Sequence, residues 1–285
     1  MKTILFSILL SSALCFSQES IKGKIIDSGN GGTLAYVNIG IKDQGVGTVS
    51  NRNGQFLLEL DQGVNVKERV IFSHIGFVQQ EHSVSSLIGK NNIISMIPEP
   101  TLLNEVVVKP KAPKSKKLGR RGKGFGLMHH NFYSAHEKDI DDRLSKEMGM
   151  GFSLGKDCML DALNFNITSN DFKSVKFRVN VYKITNGMPD GPLNTQDIIF
   201  EVVDGKLGWF KVDLISYGIY LEKELKKIVV SIQWLESVKM AGRSKYFSIS
   251  TAMGTSKNFF YRDKAMDRWS KGKSKLSFYL DAACN

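Results

Sequence analysis

Residues 34–60 read LAYVNIGIKDQGVGTVSNRNGQFLLEL. Val37, Ile39 and Ile41 alternate with Tyr36, Asn38 and Gly40, and Phe56, Leu58 and Leu60 alternate with Gln55, Leu57 and Glu59. A period of two puts one set of side chains on one face, so each run predicts a strand with a buried face. Between them, Asn51-Arg52-Asn53-Gly54 is a tight-turn sequence that favours a hairpin. Further strands are expected at 21–27, 69–74, 81–84, 92–97 and 105–108. About seven short strands, with turn signals every ~8–12 residues, fit a β-sandwich over residues 18–108.

The strings GKIID (23–27), LAYVNIGI (34–41), GVGTVSNRNGQFLLEL (45–60) and VIFSHIGF (70–77) resemble the carboxypeptidase-regulatory-like domain. PTLLNEVVV (100–108) resembles the end of that domain as it stands before TonB-dependent outer-membrane transporters. The resemblance implies a seven-stranded, transthyretin-like sandwich and an accessory module of exported Gram-negative proteins. It implies no catalytic residues and no peptidase activity.

The whole chain has 285 residues, 42% hydrophobic and 24% charged, with six prolines and a formal net charge of +11. That composition excludes a collagen-like or wholly disordered protein. The length predicts two domains, and is too short for a large outer-membrane barrel behind an N-terminal domain. At the N-terminus, Lys2 precedes the apolar run Ile4–Leu10, and Cys15-Phe16-Ser17 places small side chains before Gln18. This reads as a secretory signal peptide, residues 1–17, cut after Ser17. The run is shorter than the ~20 apolar residues of a membrane span. Lipidation of Cys15 is disfavoured by Leu14, where a small residue is expected. No later stretch is long and apolar enough to span a bilayer, so the mature chain is expected to be exported, periplasmic or associated with the outer membrane.

Residues 109–124, KPKAPKSKKLGRRGKG, carry eight basic side chains and no acid. Such a run repels itself and buries little apolar area, so it predicts an extended, solvated linker. An anionic polymer or lipid surface is the functional alternative. Nucleic acid is disfavoured, because no aromatic residue interrupts the run.

Beyond it, residues 125–285 again show period-two runs. Val175, Phe177, Val179 and Val181 alternate with Lys176, Arg178, Asn180 and Tyr182. Ile228, Val230, Ile232 and Trp234, and then Leu276, Phe278 and Leu280, do the same. Long strands with polar outer faces predict an antiparallel sandwich or jelly roll. Residues 158–167 read as another strand, 186–192 as a loop and 136–146 as a short helix. FKSVKFRVNVYKITNGMPDGPL (172–193), GWFKVDL (208–214) and KKIVVSIQWLE (226–236) resemble a jelly-roll domain of unassigned function that follows the regulatory-like module in exported bacterial proteins. By analogy with jelly rolls, the first and last strands pair antiparallel. Cys158 and Cys284 then meet across a ladder and are the disulfide candidates, as an even pair in an oxidising compartment; two unpaired thiols are the alternative.

The search for chemistry yields little. Gly151-Phe152-Ser153-Leu154-Gly155 matches G-x-S-x-G, but a strand follows where the nucleophile elbow needs a helix, and all five histidines precede Ser153. No His is followed three residues later by Glu, as a zinc carboxypeptidase would need. His129, His130 and His136, with Glu137, Asp139, Asp141 and Asp142, form a ligand-rich cluster whose spacing matches no standard metal site. Trp234 is expected in the core. Trp209 and Trp269 are candidate sugar-stacking platforms, with a sheet-edge packing role as the alternative for Trp209. No catalytic, cofactor or metal residue is therefore assigned. The expected function is a non-catalytic envelope protein of two β domains, acting through binding or assembly with a protein or a glycan. A carbohydrate-binding accessory protein is the second reading and a hydrolase the third.

Overall fold

A computed structural model describes residues 19–99, 113–123, 128–134, 137, 139–240 and 245–285. The expected signal peptide, the strand at 105–108, the start of the basic run and His136 lie outside the described residues. The chain is all-β, with two sandwiches in series.

The first sandwich has strands β1 (Ser20–Asp27), β2 (Asn38–Ile41), β3 (Val46–Val49), β4 (Gln55–Glu59), β5 (Arg69–Ser73), β6 (Gln80–Ser83) and β7 (Asn91–Met96), with one helical turn at Val84–Leu87. Its sheets run β4-β1-β7 and β3-β2-β5-β6. Ile21, Ile25, Val37, Ile39, Phe56, Leu58, Val70, Phe72 and Ile94 fill the space between them. The alternation in β4 is met: Phe56 and Leu58 are buried, and Gln55, Leu57 and Glu59 are exposed. The expected hairpin is not formed. β2 pairs with β3 and β5, while β4 pairs with β1 in the other sheet. The turn at Asn51–Gly54, closed by Gly54 N–H to Asn51 O at 2.9 Å, carries the chain across the sandwich. β3 buries all four of its residues, so it carries no alternation to announce it.

The second sandwich is larger. One sheet runs β13 (Met188–Pro192), β12 (Phe172–Thr185), β17 (Lys227–Lys239), β10 (Glu147–Ser153), β19 (Phe259–Arg262), β20 (Ser270–Gly272), with β14 (Ile198–Val203) also on β12. The other runs β21 (Ser274–Leu276), β18 (Phe247–Met253), β11 (Cys158–Asn170), β22 (Phe278–Cys284), β8 (Lys114–Gly119). β15 (Gly208–Asp213) and β16 (Tyr220–Leu221) flank β11, and β9 (His129–Asn131) flanks β18. Trp234 is wholly buried among Phe132, Phe172, Phe177 and Phe247.

Three local expectations change. Residues 114–119 of the basic run are not a free linker: they form β8, paired antiparallel with β22 from Lys114↔Cys284 to Gly119↔Tyr279. Lysines on an edge strand discourage pairing with a further chain, which suits this sequence to that place. The expected loop at 186–192 is a turn at Asn186-Gly187, both with positive φ, followed by the edge strand β13. Pro189 and Pro192 are tolerated there because an edge strand has backbone N–H positions that need no partner. The expected helix at 136–146 is one 3-10 turn, Ile140–Arg143, capped by the Asp139 carboxylate and ended by Ser145 at φ 71°. Among the described residues, no helix is long and apolar enough to cross a membrane.

Candidate functional site

The polar rows on the outer face of the β12-β17-β10 sheet do not meet solvent. Arg178, Asn180, Ser231, Gln233 and Glu147 are all buried. Part of the cover comes from the first sandwich. Arg178 donates through Nη2 to the Tyr36 carbonyl at 2.8 Å, and Gln233 Nε2 to Asn38 Oδ1 at 2.8 Å. The Tyr36 hydroxyl donates to Glu236 at 2.8 Å, and Tyr36, Val49 and Leu235 form a small apolar cluster of their own. Arg178 also pairs with Asp197 through both Nε and Nη2, and His74 of the first sandwich stands 3.3 Å from the same carboxylate. Burial opposes the charge on Asp197. Arg178 above all, then His74, hold its carboxyl well below the usual carboxylate range.

A segment after β19 completes the cover. Ala265 is wholly buried, and its N–H donates to Ser145 Oγ at 2.7 Å. The Asp43 N–H reaches the Met266 carbonyl at 3.1 Å, and the Gly45 N–H reaches Asp267 at 3.2 Å. Gly40 and Gly47, directly paired across β2 and β3, supply the clearance for Ala265. Beside it, Glu147 is wholly buried and accepts from Asn180, Tyr182, Ser231 and, at 2.9 and 2.7 Å, from Arg262. Burial, then the Glu147 charge, push the Tyr182 phenol up. Burial disfavours the Arg262 cation, but Glu147 outweighs it and keeps Arg262 charged. These ionisable groups neutralise one another in place.

Next to this interface lies a cleft of about 950 Å³. Thr48, Asn51, Glu59 and Asp61 line it from the first sandwich, and Glu137, Asp139, Asp141, Asp142, Asp263 and Asp267 from the second, with Lys146 and Lys264. Three of these acids have structural work. Glu137 pairs with buried Arg143 at 2.9 Å, Asp263 with Lys146 at 3.0 Å, and Asp139 caps the 3-10 turn. Lys264 Nζ donates to the Asp142 carbonyl at 2.8 Å, and burial pulls its pKa down.

The residues singled out from the sequence are dispersed. Cys158 and Cys284 are directly paired on β11 and β22 and form a disulfide, with Cα atoms 4.1 Å apart. Ser153 sits exposed at the end of β10, and the next element is β11, a strand. His129 is exposed on β9, and His130 stacks on Phe259 at 4.4 Å and bonds Ser274 Oγ at 2.9 Å. Among the described residues, no three His, Cys, Asp or Glu side chains gather as metal ligands. Trp209 is half-buried, edge to face with Tyr279 at 5.1 Å. Trp269 is half-buried against Tyr182 and under Arg262. The interface itself was missed in the sequence, and its one signal was the concentration of Arg, Asn, Ser, Gln and Glu on a single sheet face.

No curated protein matches the chain. Among solved structures, the cysteine protease and lectin-like domains of Cwp84, a surface layer associated protein of Clostridium difficile, match at 11% identity and TM-score 0.43. The match covers 94% of this chain and 59% of that one. The infectious bursal disease virus Gx strain structure matches at 11% identity and TM-score 0.25, covering 94% and 64%. BcpA, the major pilin subunit of Bacillus cereus, matches at 10% identity and TM-score 0.18, covering 91% and 68%. The chain thus spans less than two thirds of the first of these structures, and likenesses this distant carry no conclusion about it. Residues 21–108, the first sandwich and the residues that follow it, match the family model of the CarboxypepD_reg-like domain.

Proposed function

We propose that this chain is an exported, non-catalytic binding or assembly protein of the Gram-negative cell envelope, built from a CarboxypepD_reg-like sandwich and a jelly-roll-like sandwich locked into one unit. The observation that carries the reading is the closed polar interface. Arg178 and Asp197 of the second sandwich reach the Tyr36 carbonyl and His74 of the first, so the buried charges hold the two surfaces in fixed relation. A fixed pair of β domains presents a composite surface, which serves recognition. The Cys158–Cys284 bridge supports export, because disulfides persist in oxidising compartments. The partner is an envelope protein or a glycan, and nucleic acid is not the partner.

Fractionation of the native host and in-cell crosslinking test this together. The mature chain, beginning at Gln18, should be found in the periplasmic or outer-membrane fraction, crosslinked reproducibly to an envelope component. A chain held in the cytoplasm with its N-terminus intact would overturn export. A hydrolytic activity of the purified chain, abolished by Ser153→Ala, would overturn the non-catalytic reading. Trp209 beside Tyr279 favours glycan binding as the second reading; a glycan array that gives no signal dependent on Trp209 removes it.

A further inference from the structure

One end of the second sandwich gathers partly exposed apolar side chains. Val203, Ser174 and Val238 lie in one row across β14, β12 and β17. Met240 follows β17, and its Cε stands 3.8 Å from where a Cβ on Gly205 would lie. Tyr246 is tied to the β11–β12 turn, where its N–H donates to Asp171 Oδ2 at 2.9 Å and its carbonyl accepts from the Asp171 N–H at 2.9 Å. Leu207 leads into β15. Val203, Leu207, Val238, Met240 and Tyr246 are 41–54% exposed, and they are five of the fifteen large apolar side chains exposed among the described residues. A third of those side chains is therefore concentrated at one end, where scattered single residues would need no explanation.

Lysines surround this end. Lys173, Lys206, Lys239 and Lys245 are all exposed there, against Asp171 and Asp204 among the turn residues. Lys245 Nζ lies 4.4 Å over the Tyr133 ring, Tyr133 packs edge to face with Tyr246, and Lys239 stands near Asp139 and Asp141. The turn that presents Leu207 is stiff: Asp204 and Gly205 both have positive φ, and Lys206 N–H closes onto the Val203 carbonyl at 3.1 Å.

We propose that this end of the second sandwich docks on an anionic lipid surface. Apolar side chains from separate turns suit a fluid interface that moulds around each one. Lysine stems lie along apolar surface while their amino groups reach phosphate, and anionic headgroups attract the cluster. The inference rests on these side chains and goes beyond the binding or assembly role proposed above.

The test is flotation of the full oxidised chain with vesicles of phosphatidylcholine alone or with phosphatidylglycerol. The chain should float with the anionic vesicles and be released by raised salt, which screens the lysines. Leu207→Ser with Met240→Ser should weaken flotation about tenfold, the scale expected for losing buried apolar side chains. Lys173→Glu with Lys206→Glu should abolish it, and Ile93→Ser on the exposed face of the first sandwich should change nothing. A bimane probe on a Leu207→Cys chain should shift to the blue with anionic vesicles, a readout that does not depend on the folding of the serine and glutamate variants. No flotation, or flotation lost only when Arg121 and Lys123 are replaced, overturns the proposal. So does a dimer in sedimentation that Leu207→Ser with Met240→Ser converts to monomer while vesicle binding is unchanged, since the surface would then belong to a second copy.

Discussion

Ala265 lies so close to Gly40 that a Cβ on the glycine would fall 2.5 Å from the Ala265 carbonyl oxygen. Gly47, the cross-strand partner of Gly40, stands in the same relation at 2.4 Å. The β2–β3 pair of the first sandwich thus grips a backbone segment of the second. Gly40→Val should force this grip open at a cost of about 1–3 kcal/mol, typical of overpacking a tight contact. Scanning calorimetry of the variant should resolve two transitions where the parent chain gives one. A single unshifted transition would show that the grip does not couple the sandwiches.

The Arg178 guanidinium is buried between Asp197, Gln233 and the Tyr36 carbonyl. Arg178→Leu leaves the Asp197 carboxylate without its main counter-charge and removes the link to Tyr36. Breaking a buried pair from one side costs about 3–5 kcal/mol. Adding Asp197→Leu should recover part of that loss, because the stranded charge goes with it. Urea denaturation of the two single variants and the double variant measures the coupling; equal stabilities of Arg178→Leu and the double variant would refute it.

The alternation of Val175–Val181 and Ile228–Trp234 made the core faces of β12 and β17 legible, and the antiparallel pairing of β11 with β22 followed from analogy. The opposite faces were not legible as an interface. Arg178, Asn180, Ser231 and Gln233 give the same polar spacing whether they meet water or a second domain, and only three-dimensional placement distinguishes the two. β3 escaped notice because four consecutive buried residues carry no period. The β8 lysines read as linker because composition registers charge, while the pairing that orders them lies in β22, more than 150 residues away in sequence.

Acid should loosen the interface in a defined direction. The folded-state pKa of Asp197 lies below its unfolded value of about 3.9. The carboxylate therefore stabilises the fold above about pH 4, and that contribution is lost as pH falls through the folded value. Stability to urea should hold level in this respect from pH 7 to about 5, then fall below about pH 4. Asp197→Asn should flatten that acid limb. An acid limb of equal slope in Asp197→Asn would show that other carboxylates carry the dependence.

The Cys158–Cys284 bridge closes a loop with a sequence separation of 126, which spans the second sandwich from β11 to β22. In the chain-entropy account, such a cross-link destabilises the unfolded state by about 5 kcal/mol, and the native ladder already holds β11 beside β22. Cys158→Ser with Cys284→Ser should therefore leave the strand pairing in place and lower the melting temperature of the second sandwich. The loss should be smaller than the entropic figure if the reduced chain keeps residual structure. Gly40→Val supplies the background for the measurement, because with the grip opened the first sandwich melts separately and serves as an internal reference. In that background, the cysteine replacement should shift the second-sandwich transition alone. A shift of both transitions, or of neither, would show that the bridge does not act by constraining the unfolded second sandwich.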